Sequence, residues 1–300
     1  MPAAVVTGGA SGVGYEVAMG LASAGWHVTI ADRNREGGAL AAENIRGAHR
    51  GCATEFRPLD LASLSHVQSF AALINGHGEP LDLLVNNAGI LPSLERRETA
   101  EGHELSLGIA LLGHYALTLQ LLPSLKRAVA PRVVTTSSLV QAQASIDFDD
   151  LHARRSYEPQ RAYNQSKLAA LMFALELDAR ASAAKQPLIS LAAHPGIART
   201  AIGDGRRAEP PRRLRDRLEM LAFDAAMRWA AQSAAEGARP LLHAATAPDA
   251  RGGEFYGPGG VAQFRGAPKC VNPSRKAQDP ALRARLWDEC GKLTGIRWPQ

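Results

Sequence analysis

Short apolar runs alternate along this chain with stretches of helical character, and that alternation restricts the fold more than any other feature. AAVVT (3–7), HVTIAD (27–32), TEFRPLD (54–60), LDLLVNNAG (81–89), RVVTTSS (132–138) and LISLAAHPG (188–196) read as strands. Each is short, apolar and bounded by turn residues. Between them lie GYEVAMGLASAG (14–25), Arg35 to Arg46, LASLSHVQSFAALIN and a long helical stretch over about 101–128. AYNQSKLAALMFALELDARA (162–181) reads as a strongly amphipathic helix. Strands of this kind separated by helices form a parallel sheet, doubly wound, with helices on both faces. The expected class is therefore α/β. Residues 203–233 break the rhythm with prolines and seven arginines, and read as an insertion or lid.

The chain has 300 residues, 46% of them hydrophobic and 21% charged, enough to bury a full core as one domain. Net charge is +5. That surplus admits an anionic partner, but a solvated arginine-rich surface is the preferred reading. No basic platform interleaved with aromatics accompanies it, so a nucleic-acid partner is not expected. Cys52, Cys270 and Cys290 are odd in number and widely spaced, matching neither a disulfide framework nor a zinc site. No metal is expected, and a reducing compartment is. MPAAVVTGG enters a strand at once, without a basic leader. No apolar run approaches the roughly 18 residues of a membrane span. The expectation is a cytoplasmic protein without a membrane span.

TGGASGVG (7–14) joins the first strand to the first helix. Gly8 permits a tight turn, and Gly12 lets backbone approach a pyrophosphate at the helix N-terminus, beside Ser11, Val13 and Gly14. An ordinary glycine-rich turn would look the same. A P-loop is excluded, because no Gly-Lys-Ser/Thr follows. Asp32 adds context: it ends the second strand 18 residues beyond Gly14, where a carboxylate can accept both hydroxyls of an adenosine ribose. Asp60 and Leu61, at the end of the third strand, could flank the adenine. The implied cofactor is NAD, with NADP the less favoured alternative. Arg33 is the counter-argument, since it could hold a 2′-phosphate or merely stack on adenine.

YNQSK (163–167) places Tyr163 and Lys167 four residues apart, on one helix face. Ser137 and Ser138 lie 26 and 25 residues upstream of that pair's tyrosine at the carboxyl end of a strand, where doubly wound sheets build their sites. Free tyrosine, with a pKa of about 10, is a poor base near neutrality. A lysine ammonium about 5 Å away, at an effective dielectric of about 20, would favour the phenolate by roughly 3 kcal/mol, or some 2 pKa units. Tyr163 could then exchange a proton with a carbinol or carbonyl oxygen, to which Ser138 donates a hydrogen bond.

In their order, TGxxxGxG, NNAG (86–89), the serine pair, YxxxK and HPG (194–196) resemble the short-chain dehydrogenase/reductases. DFDDLH (147–152), AYNQSKLA (162–169) and RARLWDECGKLTG (283–295) are most similar to the retinol-dehydrogenase-like and WW-domain-oxidoreductase-like branch. The resemblance implies a Rossmann fold with about seven strands in one domain over residues 1–300. It also implies catalytic roles for Ser138, Tyr163 and Lys167. Asn87, Ala88 and Gly89 would line the cofactor ribose, and Pro195, Gly196, Ile197 and Thr200 would lie near the nicotinamide carboxamide. Two positions depart from the branch. Asp32–Arg33 stands where a small residue followed by arginine is common. LGIALLGHY (107–115) resembles a segment whose fourth residue is the asparagine of a catalytic tetrad, and here that residue is Ala110. In the family, the backbone carbonyl at this position holds a water that links the lysine to solvent.

The expected activity is interconversion of a secondary alcohol and a ketone, or of an alcohol and an aldehyde. Leu91, Pro92, Leu139 and Val140 suggest an apolar wall for a small-molecule substrate of lipophilic character, bulky or acidic in one reading of the insertion. Arg206, Arg207, Arg212, Arg213, Arg215 and Arg217, then Leu218, Leu221, Phe223 and Met227, read either as a lid over the substrate or as a packing helix behind a solvated run. His114 reads as a helix-packing residue. A rival class is a nucleotide-sensing or interaction protein with little chemistry, which Ala110 favours and the intact Ser138, Tyr163 and Lys167 oppose. A homo-oligomer is compatible with all of this.

Overall fold

In a computed structural model of the protein, residues 1–49, 51–198 and 231–299 are described. The arginine run, the apolar residues behind it and Thr200 lie outside them. The described strands are β1 (Ala3–Thr7), β2 (His27–Asp32), β3 (Thr54–Pro58), β4 (Leu83–Asn86), β5 (Arg132–Thr136), β6 (Ile189–Ala193), β7 (Phe255–Pro258) and β8 (Pro268–Cys270). They form one sheet in the order β3-β2-β1-β4-β5-β6-β7-β8. Seven are parallel, and β8 closes the edge antiparallel to β7. The eighth strand was not legible because it has three residues, PKC, with only the first half-buried. So short an edge strand carries no apolar run.

The fold is a Rossmann-like α/β fold. Alternate strand residues feed two cores. Val5, Leu84, Val133 and Ala192 face one, with α3 (Leu64–Gly76), α5 (His114–Gln120), α7 (Pro159–Ala183) and α10 (Pro280–Thr294). Val6, Ile30, Val85, Val134 and Leu191 face the other, with α1 (Gly12–Ser23), α2 (Arg35–Ala48) and α8 (Ala234–Thr246). Helices thus cover both faces, as the strand pattern implies. Two four-residue helices, α6 (Leu122–Leu125) and α9 (Arg275–Gln278), complete the described set with α4 (Leu105–Leu107). No helix among the described residues is long and apolar enough to cross a membrane.

Two helical expectations change. The stretch over about 101–128 is not one helix: α4 leads into a π-helical turn over Gly108–Gly113 and then α5. The buried Glu104 carboxylate starts it by accepting from Ser106 and Leu107 N–H. And α7 is not strongly amphipathic: residues 165–177 are buried without a break. Its inner face meets the sheet, while its outer face is covered by Trp287 of α10, which stacks on Phe173 with ring centroids 5.8 Å apart.

β1 → β2 → β3 runs outward on one side, and β4 begins the other side directly against β1. That reversal places a crevice at the carboxyl ends of β1 and β4. The register aligns those ends, with Thr7 beside Ala31, Val6 beside Val85, Asn86 beside Thr135 and Thr136 beside Ala193. The strands stop at Asn86, Thr136 and Ala193 rather than at residues 89, 138 and 196. Every motif at these ends therefore lies on loops at one edge of the sheet.

Candidate active site

The glycine turn is built for close approach. Gly8 and Gly12 have φ of +66° and +58°, a region that disfavours side chains. A Cβ on Gly14 would overlap the Gly8 carbonyl and the Asn87 amide nitrogen. Ser11 caps α1 without spending its side chain on the helix, and the first turn carries no acid. The leading N–H groups thus remain available to an anion. Val13 is buried in the core and anchors the turn. Asp32 is pinned beside it: Oδ2 accepts from Ala10 N–H at 3.2 Å and Oδ1 from Asn34 N–H at 2.9 Å. Arg33 is exposed.

Asp60 and Leu61 follow β3. The Asp60 carboxylate accepts from Ala62 N–H, and its own N–H donates to His66 Nδ1. Leu61 is buried against Gly113 of the π turn, so it serves packing as well as position. Asn87 donates through Nδ2 to the Thr7 carbonyl at 2.9 Å, and the Asn87 and Ala88 N–H groups both donate to Thr7 Oγ1. These bonds lock the NNAG turn to the end of β1.

Serines 137 and 138 divide their work. Ser137 is buried and donates to the Lys167 carbonyl at 2.8 Å, holding α7 against β5. Ser138 precedes a short 3₁₀ segment, Leu139–Gln143, without capping it. Its side chain faces the Tyr163 phenol instead. Lys167 lies one helical turn beyond Tyr163, with Nζ 5.9 Å from the ring centroid and 3.3 Å from the Thr136 carbonyl. The structure thus brings Ser138, Tyr163 and Lys167 together.

The electrostatics differ from the simple picture of a lysine lowering a phenol. Burial pushes the Tyr163 pKa up, and the Ser138 hydrogen bond only partly offsets this. Burial also draws Lys167 down to about 8. Nζ lies over the ring, and burial rather than the Lys167 charge sets the direction of the phenol's shift. At neutral pH the phenol is therefore protonated and a proton donor.

At the third loop, Gly196 has φ +65° and its N–H donates to His194 Nδ1. His194 Nε2 therefore carries the proton and donates to Gln263 Oε1 at 2.9 Å. Ile197 N–H donates to the Phe264 carbonyl, and Gln232 donates to that of Pro195. The β7–β8 hairpin thus shapes this loop. No local signal marked Gln263 or Phe264, because their partners lie some seventy positions away. Gln165 inside YNQSK was likewise missed: it ties α7 to the Asp147 N–H and the Leu151 carbonyl of the DFDDLH segment. Pro92 is buried, and Leu91, Leu139 and Val140 are half-buried on the two loops flanking Ser138.

The family profile for short chain dehydrogenase matches residues 2–211. The chain is a short-chain dehydrogenase/reductase. As a member of that family it is an NAD(P)-binding oxidoreductase acting on CH–OH groups. The dehydrogenase is 39% identical over 298 residues to polyprenol dehydrogenase of Mus musculus, covering 97% of this chain and 83% of the relative. It is 33% identical over 296 residues to retinol dehydrogenase 13 of Homo sapiens, covering 98% and 85%. Among solved structures, an uncharacterized protein from Mycobacterium Paratuberculosis superposes with a TM-score of 0.79 at 36% identity, covering 100% of this dehydrogenase and 96% of that chain. These relatives fall in the retinol-dehydrogenase-like branch that the motifs resemble.

Proposed function

We propose that this dehydrogenase interconverts a lipophilic alcohol and its ketone or aldehyde with NAD(H), using Tyr163 as acid and base. The observation that carries the reading is the convergence of Ser138, Tyr163 and Lys167 at the sheet edge that also bears the glycine turn. Bound NAD supplies the acceptor for the hydride leaving the carbinol carbon. The alcohol proton goes to the Tyr163 oxygen in oxidation and returns from it in reduction. Ser138 donates to the substrate oxygen. Lys167, buried with Nζ over the Tyr163 ring, would hold the cofactor by donating to its ribose hydroxyls. Leu91, Pro92, Leu139 and Val140 support an apolar substrate, as do the relatives named for polyprenol and retinol. Residues 1–300 act as one domain, with 203–233 as its insertion.

The test is reduction of NAD⁺ by purified protein, followed at the reduced-nicotinamide absorbance, across long-chain primary and secondary alcohols. Turnover that rises with chain length is expected, and silence across the panel and the matching carbonyls would refute the reading.

Asp32 supports NAD over NADP, because its carboxylate, pinned beside the glycine turn, would repel a 2′-phosphate placed there, and TGGASGVG offers no cation. NAD(H) is expected to bind at least about tenfold more tightly, a difference of roughly 1.4 kcal/mol. Asp32→Ala should narrow the gap, with Arg33 then free to meet the phosphate. Equal or tighter NADPH binding by wild type overturns the preference.

Lys167 gives a pH dependence. Its ammonium, the form that would donate to ribose, is nearly complete at pH 7 and below and is lost as pH rises through about 8. Cofactor affinity is therefore expected to be constant from pH 6 to 7 and to weaken several-fold by pH about 9.5. Titration by quenching of protein fluorescence checks this, and Lys167→Met should bind weakly with no such slope.

A further inference from the structure

His114 is 1% exposed and lies in the first turn of α5, just after the π turn that carries Ala110. Its backbone N–H goes to the Leu111 carbonyl, and its ring reaches two other partners. Nδ1 lies 3.3 Å from the Ala110 carbonyl and Nε2 lies 2.9 Å from Thr7 Oγ1. A carbonyl only accepts, so Nδ1 carries the proton and Nε2 is a bare acceptor. The Thr7 hydroxyl fits that assignment. Its oxygen already accepts from Asn87 and Ala88 N–H, leaving one hydrogen to give, and His114 Nε2 is nearer than the Val85 carbonyl at 3.2 Å. Burial, together with the Lys167 charge, holds the ring's pKa down to about 3, so this tautomer is the form present at working pH.

The chain of bonds ends at the site. Asn87 and Ala88 lead into Gly89, and a Cβ on Gly89 would lie 3.1 Å from Lys167 Nζ. Gly89 is thus the wall against which the ammonium rests. Ala110 brings no polar side chain to this region, so the imidazole makes the link between the π turn and the end of β1.

We propose that His114 is a positioning residue of the dehydrogenase site: its ring fixes the Ala110 carbonyl to Thr7, and through Thr7 it sets the Asn87–Gly89 wall beside Lys167. The functional part of this rests on the role proposed above for Lys167. The test compares His114→Phe, which fills the space without either bond, with His114→Gln, which carries both a donor and an acceptor. Two readouts are used: amide hydrogen exchange at Asn87 and Ala88 in the cofactor-free protein, and kcat against KM with an accepted alcohol. His114→Phe is expected to speed exchange at both amides by about tenfold and to lower kcat by about tenfold, with KM within twofold. His114→Gln should return both readouts to within about threefold of wild type. Unchanged exchange in His114→Phe, or a glutamine variant as impaired as the phenylalanine one, overturns the proposal. If His114→Phe does not fold, His114→Asn, which keeps only the Ala110 bond, must still exchange faster than wild type, and wild-type exchange there overturns it. A wild-type protein silent toward every alcohol and ketone would refute the proposed activity, while the exchange measurement would still decide the role of His114.

Discussion

Tyr163→Phe is expected to lower turnover by about 10²–10⁴-fold while leaving cofactor affinity within about twofold. The ring remains half-buried on α7, and Lys167 Nζ keeps its place above the ring face and at the Thr136 carbonyl. What disappears is the one hydroxyl that faces Ser138. Without it, substrate oxygen has a hydrogen-bond donor but no group to take or return its proton. Because burial holds the phenol above its ordinary pKa, the loss should be largest for carbonyl reduction at neutral pH, where Tyr163 acts as the acid. Single-turnover rates with each cofactor form, beside binding titrations, check both halves. A variant retaining more than about a tenth of wild-type activity would remove Tyr163 from the mechanism.

The parts of this site that were legible in the sequence are those whose partners are close along the chain. Gly8, Gly12 and Gly14 declare a turn through their spacing, and Tyr163 and Lys167 declare one helix face. The alternation of short apolar runs with helices implied both the sheet and its two covered faces. What escaped depends on distant contacts. The π turn at Gly108–Gly113 has no composition that separates it from an α-helix, since every residue of GIALLG is buried in either case. The Tyr163 pKa could not follow from a four-residue spacing, because its direction is set by burial of the phenol, only partly offset by the Ser138 hydrogen bond. Gln263 and Phe264 reach the HPG loop only after the chain has passed through α8 and β7. His114 looked like a packing residue and is one. Its hydrogen bond to Thr7, more than a hundred residues away, is visible only in three dimensions. Thr7 and Ser137 lie within legible motifs, but their bonds to the NNAG turn and to the Lys167 carbonyl carry no local signature.

Gly14→Ala is expected to abolish useful cofactor binding, with a loss of about 100-fold or more, roughly 2.7 kcal/mol. The added methyl cannot be accommodated by a flexible neighbour. It would overlap the Gly8 carbonyl, which belongs to a turn held at positive φ, and the Asn87 amide, which is bonded to Thr7. Either α1 moves away from β1 or the NNAG turn moves away from both, and each shift opens the crevice in which the pyrophosphate and ribose would sit. Overpacking of this kind costs about 1–3 kcal/mol of stability, so the melting temperature should fall as well. Gly47→Ala separates the local effect from a general one. Gly47 lies in α2 with nothing within 4 Å of its would-be Cβ and no positive φ. Alanine there should stabilise the protein by about 0.5–1 kcal/mol and leave affinity unchanged. If Gly14→Ala bound NAD as well as Gly47→Ala does, the glycine turn would not be the cofactor's seat, and the convergence of Ser138, Tyr163 and Lys167 would have to be explained without it.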